Sequence, residues 1–545
     1  MRCKAGIQQA ILSAAFALLF ANTAQAAAKL KDGPASLSTP SSSDASSVNP
    51  PAREPLDPNA PPVAPRKKRK KDVPRTPDAP PVAPVRVAPL DPNAPPIAPE
   101  NVVPLDQNAP PIAPARVAPL DPNEPLVAPE KYVAFDPNAP PRAHIPIGHD
   151  LYFGGFASLR AFMERNKSVN TRPDDANSEF SPSVSLAFAY DPNRYIHVFT
   201  NATFGKSTAF EETRDTTQTV DLTLKQAYLA LNNVIEGTSL QIGRQRFKDV
   251  RRWLFNDTLD AARLAYKSPD LSMEFSASKF NIFQSELLGP DPNPSGETGK
   301  FINYYSSISY KFDKKSRIGA FALYQNGDTQ YPMFFGIQSE GELVKRLNYW
   351  IQSAMVRGTD GSQRIRGEAV DVGLTQLFGA STSIRPSITV GYAYGSGDGN
   401  PNDNVDTAFR QTGFQDNSDS YNGVARFKYY GEILDPQLTN LMIFTGGAGI
   451  KPSRRSSLDL VYHYYLRDFS STSIPRAGLN IVGQTGTDKH LGEEIDLIIG
   501  YQEIAQVTTR LIFGLFMPGK AFAEPVRDGA RDPAFSASIL IRYIF

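Results

Sequence analysis

The sequence predicts an all-β fold, a transmembrane antiparallel β-barrel of 18 strands preceded by a disordered proline-rich region. Two observations carry that prediction. From His149 onward the dominant apolar signal has period two, in stretches of about ten to twelve residues, the length a tilted strand needs to cross a bilayer. No run of eighteen apolar residues occurs, which excludes a helical membrane protein. A formal net charge of +1 over 545 residues implies no strong overall partner of either sign, and no nucleic acid.

Residues 1–26 read as a secretory signal. Arg2 and Lys4 supply the positive start, Ile11 to Phe20 the apolar stretch, and Ala24-Gln25-Ala26 the small-residue cut site. Cys3 is the only cysteine and falls inside this segment. The mature chain is therefore expected to lack disulfides, thiolate metal sites and cysteine nucleophiles.

Residues 27–148 read as a tether. Of the 47 prolines, 31 lie between Leu30 and Pro146, a density that removes backbone donors and forbids helix or sheet. LDPNAPPIAP at Leu90, LDQNAPPIAP at Leu105, LDPNEPLVAP at Leu120 and FDPNAPPRAH at Phe135 recur every fifteen residues, with another copy at Leu56. These units hold too few apolar residues to stack a solenoid core, so polyproline II broken by Asp-Pro-Asn turns fits better. At about 3.1 Å per residue, ~100 residues reach on the order of 200–300 Å, enough to span a periplasm. Peptidoglycan or a periplasmic secretion partner is the expected contact, with the basic run Arg66 to Lys71 either touching an anionic surface or solubilising the linker.

Residues 149–545 form the expected barrel. Val184, Leu186, Phe188 and Tyr190 share one face, with Ser183, Ser185, Ala187 and Ala189 opposite, and 384–395 and 458–466 alternate likewise. Tyrosine and phenylalanine crowd the strand ends as an interfacial girdle requires. Outer-membrane lipid and lipopolysaccharide are the implied surroundings, in a Gram-negative outer membrane. The terminal ASILIRYIF resembles the assembly signal of such barrels, making the barrel assembly machinery a partner through Phe545. Nineteen segments alternate, from 151–165 through 332–340 and 420–430 to 533–545. A single-chain bacterial barrel needs an even number, and 332–340 is the weakest, so it is the one dropped. With that choice parity does not place the long 396–419 stretch outside the cell, and loop sidedness stays open.

Assigning the apolar face to lipid sends Arg160, Glu164, Lys225, Arg263, Asp371, Arg385, Asp459, His463, Arg467, Glu494, Asp496 and Arg542 inward. Such an arginine-leaning lining suits a polyanion, because guanidinium pairs bidentately with carboxylates while nearby acids keep binding reversible. The densest basic cluster is GRQRFKDVRRWLFNDTLDAARL, residues 243–264. Strict alternation would turn Arg244 and Arg246 toward lipid, at roughly 2–4 kcal/mol each in mid-membrane. The strand must therefore leave the bilayer or bulge near Gly243. Residues 248–257, with Arg251 and Arg252, then form either an inward constriction or an exposed loop on lipopolysaccharide.

The barrel region resembles the alginate export family of outer-membrane porins. The resemblance rests on residues 243–264, YAYGSGDGN (392–400), FRQTGFQDN (409–417), YYGEILDPQLTNL (429–441), LDLVYHYYLRD (458–468), LGEEIDLIIGY (491–501) and FMPGKAF (516–522), in one order along the chain. It implies an eighteen-stranded channel exporting an anionic exopolysaccharide past an arginine-rich constriction. Carried over by position, that role falls on Arg244, Arg246, Arg252, Arg263 and Arg467, while Arg160 follows from the face argument alone. The proline-rich tether departs from the family's compact start.

Three rival readings remain. Glu494 and Asp496 share a face two residues apart, close enough to serve as a glycosidase pair of carboxyls at roughly 5–5.5 Å. An anion-selective uptake porin for small carboxylates would share the barrel and the basic lumen. A structural anchor would hold peptidoglycan through the tether. No nucleophile or zinc motif occurs, and Asp398 to Asp403 lacks the glycine and glutamate of a calcium loop, so no catalytic residue, metal or cofactor is expected.

Overall fold

The computed structural model describes residues 134–545 except 170–174, 212–215, 290–296, 380–383, 472–476, 480–487 and 523–531. The expected signal segment and the repeats up to residue 133 lie outside the described residues. The wall has 18 strands, each antiparallel to the next. They are β1 (Leu151–Arg165), β2 (Asn177–Tyr190), β3 (Ile196–Glu211), β4 (Thr217–Asn232), β5 (Thr238–Lys248) and β6 (Asn256–Lys267). There follow β7 (Leu271–Lys279), β8 (Ile302–Lys311), β9 (Arg317–Asn326), β10 (Met333–Val344), β11 (Leu347–Asp360) and β12 (Gln363–Leu377). The last six are β13 (Ser387–Gly395), β14 (Leu441–Ile450), β15 (Ser456–Arg467), β16 (His490–Tyr501), β17 (Val507–Pro518) and β18 (Ala534–Ile544). Closure comes from β18 pairing with β1, from Phe156↔Ile544 to Arg165↔Phe535, which joins the last strand to the first. Phe545 extends that pairing by exchanging backbone bonds with Gly155 at 2.9 and 3.0 Å.

Alternation decides which face meets lipid. On β2, Val184, Leu186, Phe188 and Tyr190 are exposed on the outside, while Ser185, Ala187 and Ala189 are buried inside. Ile388 and Val390 on β13, Leu458, Leu460 and Tyr462 on β15, and Ile541 and Tyr543 on β18 repeat the pattern. The longest connections, 280–301, 396–440 and 468–489, all follow odd-numbered strands, whereas those after even-numbered strands, such as 191–195, 268–270 and 345–346, are short, as is 361–362 after β11. Both ends of the wall, Leu151 and Ile544, lie at the short-turn end, which in outer-membrane barrels faces the periplasm.

The expected count of 18 holds, but with a different membership. Met333–Val344 is a full strand, paired along its length with β9 and β11. Its alternation is faint in sequence because the buried Phe334 is as apolar as the lipid-facing Phe335 and Ile337, and Ser339 and Gly341 continue the row of Phe335 and Ile337 without an apolar side chain. Residues 420–430 are not in the wall. Their spaced aromatics, Tyr421, Phe427 and Tyr429, mimic a strand but are buried inside the barrel, and Phe427–Lys428 pairs only with Ser418–Asp419. The exchange restores parity, so the whole 396–440 connection belongs to the long-loop end.

The end of the expected tether is also ordered. Ile145–Gly148 pairs with the start of β1, and residues 134–144 run inside the wall beside it.

Candidate functional site

Gly243 opens the wall. Its φ of +124° is one that side chains disfavour, and a Cβ there would come within 2.3 Å of the Ala227 carbonyl oxygen. Pairing of β4 with β5 stops at Ala227↔Arg244, and pairing of β6 with β7 starts only at Asp260↔Lys279. The ribbon between them pairs with itself and turns into the lumen. The segment 281–289 covers the resulting gap by bonding β4 through Leu224 N to Ser285 O and Leu287 N to Leu222 O, both 2.8 Å. It exposes Ile282, Phe283, Leu287 and Leu288 outward.

Inside, the ribbon tip 249–255 meets the long 396–440 connection. Trp253 stacks on Phe409 and Phe255 on Phe414. Trp253 Nε1 donates to Tyr430 Oη at 3.0 Å, and Tyr430 donates to Asp371 on β12 at 3.1 Å. Glu494 on β16 fastens the far side, accepting the amides of Ile433 at 2.6 Å and Leu434 at 3.1 Å. Gly431 makes that approach possible, since a Cβ there would meet Tyr465 Oη at 2.2 Å. The inserted segments fill the β8–β16 side of the lumen, where Gln352, Asp371, Thr375, Thr389 and His463 are buried. On the β1–β4 side the inward face stays wet: Arg160 is exposed, and Ser158, Glu164, Ser181 and Ser183 are half-buried.

These placements divide the sequence-derived site residues. Arg160 faces the open bore, with its guanidinium over the Phe162 ring. Arg244 does not face it: its guanidinium is clamped by Asp260 through two 2.9 Å bonds, on the ribbon face of Ile242 and Leu264, which are about half exposed to lipid. Arg263 is buried beneath Phe247 and paired with Glu274 at 3.2 Å. Arg251 is buried between Trp350 and Tyr429, near Asp419 and Asp371. Arg467 is buried and donates to the Ser471 carbonyl. Glu494 and Asp496 are fully buried and hold backbone amides, Asp496 accepting from Glu432 N at 3.4 Å. Asp398 and Asp403 likewise cap the amides of Asn400 and Val405.

Arg246 and Arg252 converge with Arg542, and with two residues that sequence reasoning did not place in the lumen, Arg426 and Arg510. Arg252 reaches Asp136 at 2.5 Å and Asp416 at 3.6 Å, and Arg246 reaches Asp136 at 3.5 Å. Arg542 projects from β18 under the Phe135 and Phe156 rings, and Arg510 on β17 donates to the Arg426 carbonyl at 2.9 Å. Parity alone turns Arg542 inward. Arg510 gave no such signal because β17 is apolar on both faces, Leu511, Phe513 and Leu515 against Ile512 and Phe516. Arg426 lies in 420–430, whose spaced aromatics mimic a wall strand.

The cluster is strongly electropositive. Burial and the neighbouring Arg426 and Arg246 bring the Arg252 guanidinium down to about 10 against the pull of Asp136 and Asp416. Burial pushes the Asp136 carboxyl up, yet Arg252, Arg246 and Arg426 together outweigh it and hold the group below its ordinary value. Asp416 also overcomes burial, and Lys428, Ser418 and Arg252 hold it at about 2. Both carboxylates stay ionised amid the arginines.

A closed barrel with a ribbon folded into an arginine-rich lumen is now defined, and residues 150–532 match the alginate export family. The chain belongs to the alginate export family. Its fold is that of a transport channel, and its place is the outer membrane of a Gram-negative bacterium. The alginate production protein AlgE of Azotobacter vinelandii is 29% identical over 177 residues, 29% of this chain and 35% of that one. The chain thus matches about a third of that relative's length. Among solved structures, Pseudomonas aeruginosa OccK5 (OpdH) superposes with a TM-score of 0.46 at 13% identity, covering 72% of this chain and 98% of the other. OpdK of the same organism gives 0.47 at 12%, covering 73% and 98%. The order of inserted segments in this alginate export family member therefore rests on its own contacts.

Proposed function

We propose that this alginate export family barrel releases an anionic exopolysaccharide of the alginate type across the outer membrane, by passive, electrostatically selective diffusion. The polymer's path is the wet β1–β4 side of the lumen, past Arg160 and then the group formed by Arg246, Arg252, Arg426, Arg510 and Arg542. The observation that carries the reading is the capture of the Asp136 carboxylate by this group. A site that binds one carboxylate by guanidinium bonds suits the uronate carboxylates of such a polymer. Weak binding at successive arginines keeps a long anion moving, because each contact is replaced by the next.

Reconstitution in planar bilayers tests it. The channel should favour anions, and a polyuronate added to the short-turn side should block small-ion current reversibly. Cation preference, or indifference to polyuronate from either side, refutes the reading. Block by small carboxylates with no response to the polymer would make the barrel an uptake porin instead.

A further inference from the structure

Residues 135–144 are the last copy of the fifteen-residue repeat, and their contacts are specific. Asp136-Pro137-Asn138-Ala139 closes a turn, with Ala139 N donating to Asp136 O at 3.1 Å and Asn138 N to Asp136 Oδ1 at 2.9 Å. The turn gathers its acceptors around two arginines of the wall ribbons. Arg542 donates to the carbonyls of Asp136, Pro137 and Ala139 at 3.3, 2.5 and 3.5 Å, and Arg246 donates to the Asn138 carbonyl. The Asp136 carboxylate takes Arg252. Phe135 is buried and pairs its backbone with 424–426, Phe135 N to Val424 O at 2.6 Å and Arg426 N to Phe135 O at 3.2 Å. The turn thus stands between the β18–β1 wall and the inserted loops, on the side of the bore that is otherwise wet.

We propose that the lumen contains a receptor for the acidic Asp-Pro-Asn turn of the repeats, and that the copy at 135–144 is a tethered plug that shuts the bore. Apart from the Phe135 ring, the Phe135 N–H and a 3.5 Å bond from the Asn138 side-chain amide to Asp416, the contacts use the aspartate carboxylate and backbone carbonyls of a turn that proline and asparagine favour. Asp57-Pro58-Asn59-Ala60 and Asp91-Pro92-Asn93-Ala94 repeat the tetrapeptide unchanged, each after a leucine, and Asp106 and Asp121 begin copies with one change. The receptor therefore takes an acidic turn with an apolar residue before it. The inference goes beyond the polymer reading, because its test reads the current of small ions and needs no polysaccharide.

The full chain is compared with its Asp136→Arg variant in bilayers bathed in neutral potassium chloride. The variant should conduct several-fold more, and a synthetic peptide LDPNAPPIAP should return it to the low level, whereas LNPNAPPIAP should not. Equal conductance of the two proteins, or equal effect of the two peptides, overturns the proposal. A Phe135→Cys, Ala425→Cys protein reads the same device without disturbing the charges, since these positions are paired. Oxidation should hold it shut through acid exposure that opens the unmodified chain, and dithiothreitol should release it. An oxidised protein that conducts as freely as the reduced one also overturns the proposal.

Discussion

Tyr430 Oη lies 3.0 Å from Trp253 Nε1 and, by donating in turn to Asp371, ties the two inserted segments to the barrel wall through one oxygen. All three partners are buried. Tyr430→Phe removes only that oxygen, stranding the indole N–H and taking one donor from Asp371. A stranded buried donor costs about 1–3 kcal/mol. Hydrogen exchange should therefore quicken at 249–255 and 409–417, while the strand amides, held by the closed ladder, keep their protection. Uniform loss of protection would show that the segments and the wall unfold as one unit.

Gly243→Ala tests the hinge of the ribbon. A positive φ alone costs an L-residue about 1–3 kcal/mol, and the added Cβ also meets the Ala227 carbonyl. Assembly yield should fall, or the ribbon should flatten and change the conductance. Gly446→Ala is the control, since a Cβ at Gly446 meets nothing within 4 Å. Equal behaviour of the two variants would remove the hinge from the account.

The wall was legible in the sequence because lipid and lumen impose opposite chemistry on alternate residues, as Val184 and Ser185 illustrate. The hinge was legible too: with Arg244 and Arg246 on the face of Leu240 and Ile242, the strand could not stay in the lipid wall beyond Gly243. What happened beyond it was not. Arg244 and Arg246 share that face, yet segment 281–289 seals one against Asp260 while the other reaches the 135–144 turn. Both covers come from elsewhere in the chain. The aromatic spacing of 420–430 misled for a related reason, since burial against an internal partner and exposure to lipid select the same residues. Arg467 has the parity of a lining residue and Arg251 sits on the inward-folded ribbon tip, but inserted loops bury both.

Asp136 makes the closed state acid-sensitive. A carboxyl whose folded value lies below its ordinary 3.8 contributes stability that is present above 3.8 and is lost as pH falls through the lowered value. The groups facing it are Arg246 on β5, Arg252 on the ribbon tip, Arg426 and Asp416 on the 396–440 connection, Arg510 on β17 and Arg542 on β18. Asp416, held at about 2, keeps its charge well below the ordinary carboxylate range. Conductance should rise as pH drops below about 4 and return on neutralisation. Asp136→Asn should lack that rise. Persistence of the rise in the variant would assign it to another group.

Arg160 and Arg244 should respond in opposite ways to loss of charge. Arg160 is exposed to the bore, so Arg160→Ala should lower the anion-to-cation permeability ratio and weaken polyuronate block, with little change in stability. Arg244 is a buried partner of Asp260, and breaking such a pair from one side costs about 3–5 kcal/mol because the remaining carboxylate is left uncompensated. Arg244→Ala should therefore impair assembly or heat resistance while the surviving channels keep their selectivity. Restoring stability with Arg244→Ala, Asp260→Ala would fix the residue's role as structural. A selectivity change in that double variant would return Arg244 to the polymer path.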